Sequence, residues 1–107
     1  MVIDTKTLNN TLCSYVADVK REMPIDKAYL FGSYAKGNPH ENSDVDVCFF
    51  SNHFEDKWVI DVGAELLKIA EKYNKVIDIE PHPFATSELK DDNPFIKEIL
   101  RTGIELT

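Results

Sequence analysis

Between positions 6 and 22 the apolar residues Leu8, Leu12, Tyr15, Val16 and Val19 recur every three or four places, behind Asp4 or Thr5 as an N-cap. That spacing predicts an amphipathic helix, ended by Pro24. "KAYLF", 27–31, reads as a short buried strand that Gly32 breaks, and "SYAKGNPHEN" holds one helical turn before a polar loop. "SDVDVCFF", 43–50, alternates with a period of two and predicts a second strand. From about 54 to 73, Trp58, Val62, Leu66, Ile69 and Tyr73 form a helical stripe, with Trp58 expected to cover the core. "KVIDIE", 75–80, is expected as a third strand closed by Pro81 and Pro83. Pro94 and Gly103 bracket a last helix, "PFIKEILRT", with Asn93 as its N-cap.

Composition narrows what such a chain can do. Its 107 residues suffice for one modest core, so positions 1–107 are expected to form a single domain whose larger substrates also meet a partner's surface. With 19 acidic against 12 basic residues the formal charge is −7, and no basic run offers a phosphate-backbone track, which argues against long nucleic acid. Cys13 and Cys48 stand in apolar settings without metal or disulfide spacing and are expected as reduced core residues. Neither a membrane-length apolar run nor a secretory leader is visible, so a cytoplasmic location is expected.

The second strand carries the chemistry. Residues two apart on a strand share a face, roughly 7 Å apart at their α-carbons, so Asp44 and Asp46 project together while Val45, Val47 and Phe49 enter the opposite layer. Paired anions repel unless a cation neutralises them. A hard divalent ion such as Mg²⁺ suits these oxygens, and two ions about 4 Å apart can clamp the attacking and leaving oxygens of a phosphoryl-type displacement. Asp78, flanked by Ile77 and Ile79, is the favoured third carboxylate, with Glu80 on the same face as the alternative. Gly32 lets backbone N–H groups approach an anion, Ser33 adds a hydroxyl, and Lys36 is a further candidate phosphate contact. His40 and His82 lack partners at metal-ligand spacing and read as surface residues, as do Asp91 and Asp92 in a solvated turn, while His53 falls in a helix-entry loop and carries no signal.

"FGSYAKG", five residues, then "SDVDV" resembles the polymerase beta-like nucleotidyltransferase superfamily, in particular its minimal stand-alone members of the MNT antitoxin type. The resemblance covers Gly32, Ser33, Ala35, Lys36, Gly37, Ser43, Asp44 and Asp46, with Asp78 downstream. It implies an α+β fold, a small mixed sheet of three to four strands packed with about four helices. It assigns Gly32 and Ser33 to the nucleoside triphosphate, Asp44 and Asp46 to two Mg²⁺ ions (Mn²⁺ as a substitute), and Asp78 to the third acidic position. The implied activity is transfer of a nucleoside monophosphate, AMP from ATP, to a tyrosine of a helical HEPN-family toxin, the chain acting as antitoxin. Two other readings stand beside it. One is a small-molecule nucleotidyltransferase of aminoglycoside type working as a homo-oligomer; the other is an antitoxin that only masks its partner.

Overall fold

The structure, a computed structural model, describes residues 3–40, 44–90 and 92–107. Ser43 and Asp91, both used in the sequence reading, lie outside the described residues.

Helix α1 runs Thr5–Glu22, and the side chain of its N-cap Asp4 accepts from the Thr7 N–H at 2.8 Å. The expected stripe of Leu8, Leu12, Tyr15, Val16 and Val19 is buried. Each such burial stabilises by on the order of 1.5–3 kcal/mol, far above the few tenths separating helix propensities, so packing holds this helix. Cys13 breaks the expectation: it is exposed on the opposite side of α1, while Cys48 is buried. A residue one step past Leu12 turns about 100° away from the core, which places Cys13 in solvent.

Strand β1 is Lys27–Phe31, α2 is the single turn Ser33–Lys36, and β2 is Val45–Phe50. Helix α3 spans Val59–Ala70, flanked by short 3₁₀ turns at Asn52–Phe54 and Glu71–Tyr73, so the helix expected over 54–73 is split into three pieces. Ser51 caps the first turn by accepting from the His53 N–H. Trp58 then occupies the extended N-cap position of α3 instead of its stripe; it is 79 % exposed and does not cover the core, which Val62 and Leu66 enter. Helix α4 is Pro94–Thr102, with the Asn93 side chain accepting from the Phe95 N–H, and β4 is Ile104–Glu105.

The strands form one mixed sheet in the order β3-β2-β1-β4, with β1 antiparallel to β2 and β4 and with β2 parallel to β3. Strand β3 is Ile79–Phe84, so it runs through Pro81 and Pro83 instead of ending before them. The reason is its place at the sheet edge. The Val45 N–H donates to the Asp78 carbonyl and the Ser51 N–H to the Phe84 carbonyl, so in this parallel ladder the even-numbered residues of β3 bond β2. Pro81 and Pro83 fall on the outward side, where no ladder donor is needed.

The two faces of the sheet differ. Ala28, Leu30, Val45, Val47, Phe49 and Ile79 pack against α1 and α3, and the Tyr15 hydroxyl donates to the Leu66 carbonyl at 2.9 Å inside that layer. Phe31, Cys48 and Phe50 face the other way and are covered by Ile96 and Ile99 of α4. Asp46 shares the parity of Cys48 and Phe50, so it lies on the α4 face.

Candidate functional site

Phe31 ends β1 opposite Asp46 in the antiparallel register, and Asp46 lies beside Glu80 in the parallel one. Gly32 follows with φ 78° and ψ −156°, a region essentially reserved for glycine. A Cβ there would lie 2.6 Å from Oδ2 of Asp46, so only glycine lets the backbone pass directly over that carboxylate. Ser33 opens α2, buried Tyr34 anchors the turn in the core, and Gly37, φ 78°, closes it in the left-handed conformation. The sequence feature of a glycine-serine pair ten residues before the aspartates is therefore one assembled corner.

Three donor groups converge beside it. The Nε2 of His82 lies 3.3 Å from Oδ1 of Asp46 and 3.9 Å from Oε1 of Glu80, and one ligand atom of each residue lies within 4.8 Å of the others. The imidazole packs edge-on against Phe31, ring centres 5.1 Å apart. Burial, then a hydrogen bond shared with Asp44, then the Asp46 charge raise the Glu80 pKa above the usual carboxylate range, with His82 opposing. Carboxylates gathered this closely favour a cation between them. Carboxylate oxygens and an imidazole nitrogen at this separation fit a divalent metal ion.

Of the residues predicted from sequence, Gly32, Asp44 and Asp46 come together, with Ser33 the next residue after Gly32. Glu80, the alternative third carboxylate, meets both aspartates. Asp78 is exposed and immediately precedes β3; its carbonyl anchors β2 at 2.8 Å, and among the described residues its carboxylate is not in the converging group. Lys36 is exposed with its ammonium 4.0 Å from Glu98 of α4. His82 was read as a surface residue, and the structure brings it into the cluster. The signal lay in the alternation Asp78, Glu80, His82, Phe84, which shares one face once the prolines are taken as edge residues.

Helix α4 flanks the site. Phe95, 48 % exposed, meets Phe31 at 5.7 Å between ring centres, and a cavity of about 190 Å³ opens between Gly32, Lys36, Phe95 and Glu98. A wider hollow beside Asp18 lies away from these carboxylates and holds a structural network, in which Asp18 pairs with Lys72 at 2.7 Å and accepts from the Tyr73 hydroxyl.

The chain is 32 % identical over 82 residues to a Methanocaldococcus jannaschii protein named "Putative protein adenylyltransferase MJ0141", covering 77 % of this chain and 79 % of that one. A Sulfolobus solfataricus crystal structure described as a "putative nucleotidyltransferase" superposes with a TM-score of 0.67 at 17 % identity, over 91 % of this chain and 77 % of that one. A toxin-antitoxin structure with AMP-PNP gives 0.65 at 22 % identity, over 92 % and 72 %. The MntA-HpeT toxin-antitoxin mutant D39ED41E gives 0.65 at 20 % identity, over 92 % and 72 %. At these identities the structural likenesses speak for the fold alone. Residues 12–104 match the nucleotidyltransferase domain family, and the chain belongs to it as a nucleotidyltransferase.

Proposed function

We propose that the protein, acting as one domain in the cytoplasm, transfers AMP from ATP to a tyrosine of a helical HEPN-family toxin and so serves as its antitoxin. The observation that carries the catalytic part is the contact between Gly32 and Asp46, which sets the glycine-serine turn directly against the carboxylates. The name of the Methanocaldococcus jannaschii relative supports a protein acceptor, and the toxin-antitoxin structures support the pairing.

In this reading Asp44, Asp46 and Glu80 hold divalent metal, Mg²⁺ or Mn²⁺, which when bound supplies positive charge against the charge developing on the transferred phosphoryl group. Asp78 stands next in line behind Glu80 on the same face and is the reserve for the third position. Gly32 admits the triphosphate close to the backbone, the Ser33 hydroxyl donates to a phosphate oxygen, and Lys36 adds a cation at the end of the same turn. The acceptor oxygen forms a bond to the α-phosphorus while the bond from that phosphorus to the bridging oxygen breaks. Pyrophosphate leaves, and the hydroxyl proton passes to a carboxylate of the cluster. Holding the reacting atoms in line is the main contribution such a site makes.

The test is incubation with α-labelled ATP, with and without the co-expressed helical partner, followed by mass spectrometry of both chains. Label on a partner tyrosine, lost in Asp44→Asn and Asp46→Asn, is expected. Neutralisation of the toxin by those variants without any incorporation would leave only the masking role.

A further inference from the structure

We infer that His82 is a nitrogen ligand of the divalent ion at this site and tilts its preference from Mg²⁺ toward Mn²⁺. The inference rests on the reading that Asp46 and Glu80 hold metal, and it concerns a residue outside the glycine-serine and aspartate motif.

Three observations carry it. Strand β3 continues through both prolines, so His82 follows Glu80 by two positions and stands on the same face. Its Nε2 is 3.3 Å from Oδ1 of Asp46. Adjacent ligands of a six-coordinate ion with bonds of roughly 2.1 Å lie about 3 Å apart, so this pair is close to the spacing of neighbouring ligands, and Oε1 of Glu80 lies 3.9 Å from the same nitrogen. Finally, the imidazole is held: it packs against Phe31 at 5.1 Å, and Pro81 and Pro83 fix the backbone on either side. A ligand set of two carboxylates and one imidazole suits first-row transition ions, whereas Mg²⁺ is served best by oxygen alone.

The experiment uses the full chain with substoichiometric Mn²⁺ and pulsed electron paramagnetic resonance. A histidine-type ¹⁴N coupling on the ion is expected in the native protein and is expected to vanish in His82→Gln, with His40→Gln and His53→Gln retaining it. Absence of that coupling in the native protein overturns the inference, whether the ion sits elsewhere or does not bind. A second measurement needs no variant: competition should require more than a tenfold excess of Mg²⁺ to displace Mn²⁺, and equal affinities would overturn the stated preference. In His82→Gln, Mn²⁺ affinity should fall roughly tenfold or more while Mg²⁺ affinity changes less than twofold. The outcome is separable from the proposed function. Nitrogen coupling without nucleotide incorporation upholds this inference and sinks that reading, and incorporation without coupling does the reverse.

Discussion

Substituting Gly32 with Ala tests the assembled corner directly. The new Cβ would lie 2.6 Å from Oδ2 of Asp46, so the carboxylate or the backbone must retreat by about 0.4 Å to reach even the shortest separations real side chains tolerate. The backbone also carries φ 78° and ψ −156°, where a residue with a Cβ costs about 1–3 kcal/mol. Gly37 is the internal control, because it shares φ 78° but has ψ 15° and nothing within 4 Å of its Cβ position. Gly37→Ala should cost about 1 kcal/mol. Gly32→Ala should cost about 2–4 kcal/mol, strain and displacement together, against a total stability on the order of 5–15 kcal/mol. At about 4–8 °C per kcal/mol for a domain of this size, the melting temperatures of the two variants should separate by at least about 4 °C. The double variant Gly32→Ala with Asp46→Ala should recover part of the loss, a coupling of about 1 kcal/mol in a double-mutant cycle. If the two glycine variants melt together and both keep native Mn²⁺ affinity, the argument that Gly32 is shaped by Asp46 is wrong.

Three further outcomes are expected. Glu80→Gln should lower nucleotide incorporation at least 100-fold, measured with labelled ATP, while Asp78→Asn should lower it less than tenfold; the opposite order would return the third position to Asp78. Because the folded Glu80 pKa is raised above its ordinary 4.5, the stability this group contributes is present below that value and is lost as pH rises through the folded pKa. In metal-free buffer Glu80→Gln should therefore melt above the native protein at pH 7 and approach it near pH 4, and a pH-independent difference would refute this. Burial pushes the Cys48 thiol up to about 12, so at pH 8 a thiol reagent should titrate Cys13 within minutes and Cys48 only after unfolding; two fast thiols would contradict the fold.

What could be read in the sequence was whatever depends on near neighbours. Strand β1 and helix α4 lie where the pattern placed them, because an apolar run broken by Gly32 and a helix bracketed by Asn93, Pro94 and Gly103 are punctuated by local chemistry. The corner of Gly32, Ser33, Asp44 and Asp46 was visible from spacing alone. Strand β3 was not, since whether a proline ends a strand depends on which side faces a neighbour, and that is decided by the order of the whole sheet. The same reading of the prolines left His82 among the surface residues, whereas the strand that continues through them brings it beside Asp46 and Glu80. Trp58 was misplaced because the helix starts one residue later than its apolar stripe suggests, after the Ser51-capped turn. The expectation of a buried Cys13 failed although the α1 stripe held the signal, because its buried positions leave Cys13 on the far side.

The outer rim of β3 has a consequence for how another molecule reaches the carboxylates. An edge strand ordinarily invites a visiting peptide to add itself as one more strand, reading the backbone by its hydrogen bonds. Here the outward positions include Pro81 and Pro83, so the rim nearest Glu80 and His82 is stripped of donors over most of its length. A guest chain cannot be zipped on beside the site. On the proposed reading, a protein acceptor must instead lower its hydroxyl onto the sheet from above, from a helix end or a tight turn, and be recognised by its side chains and shape, not by its backbone.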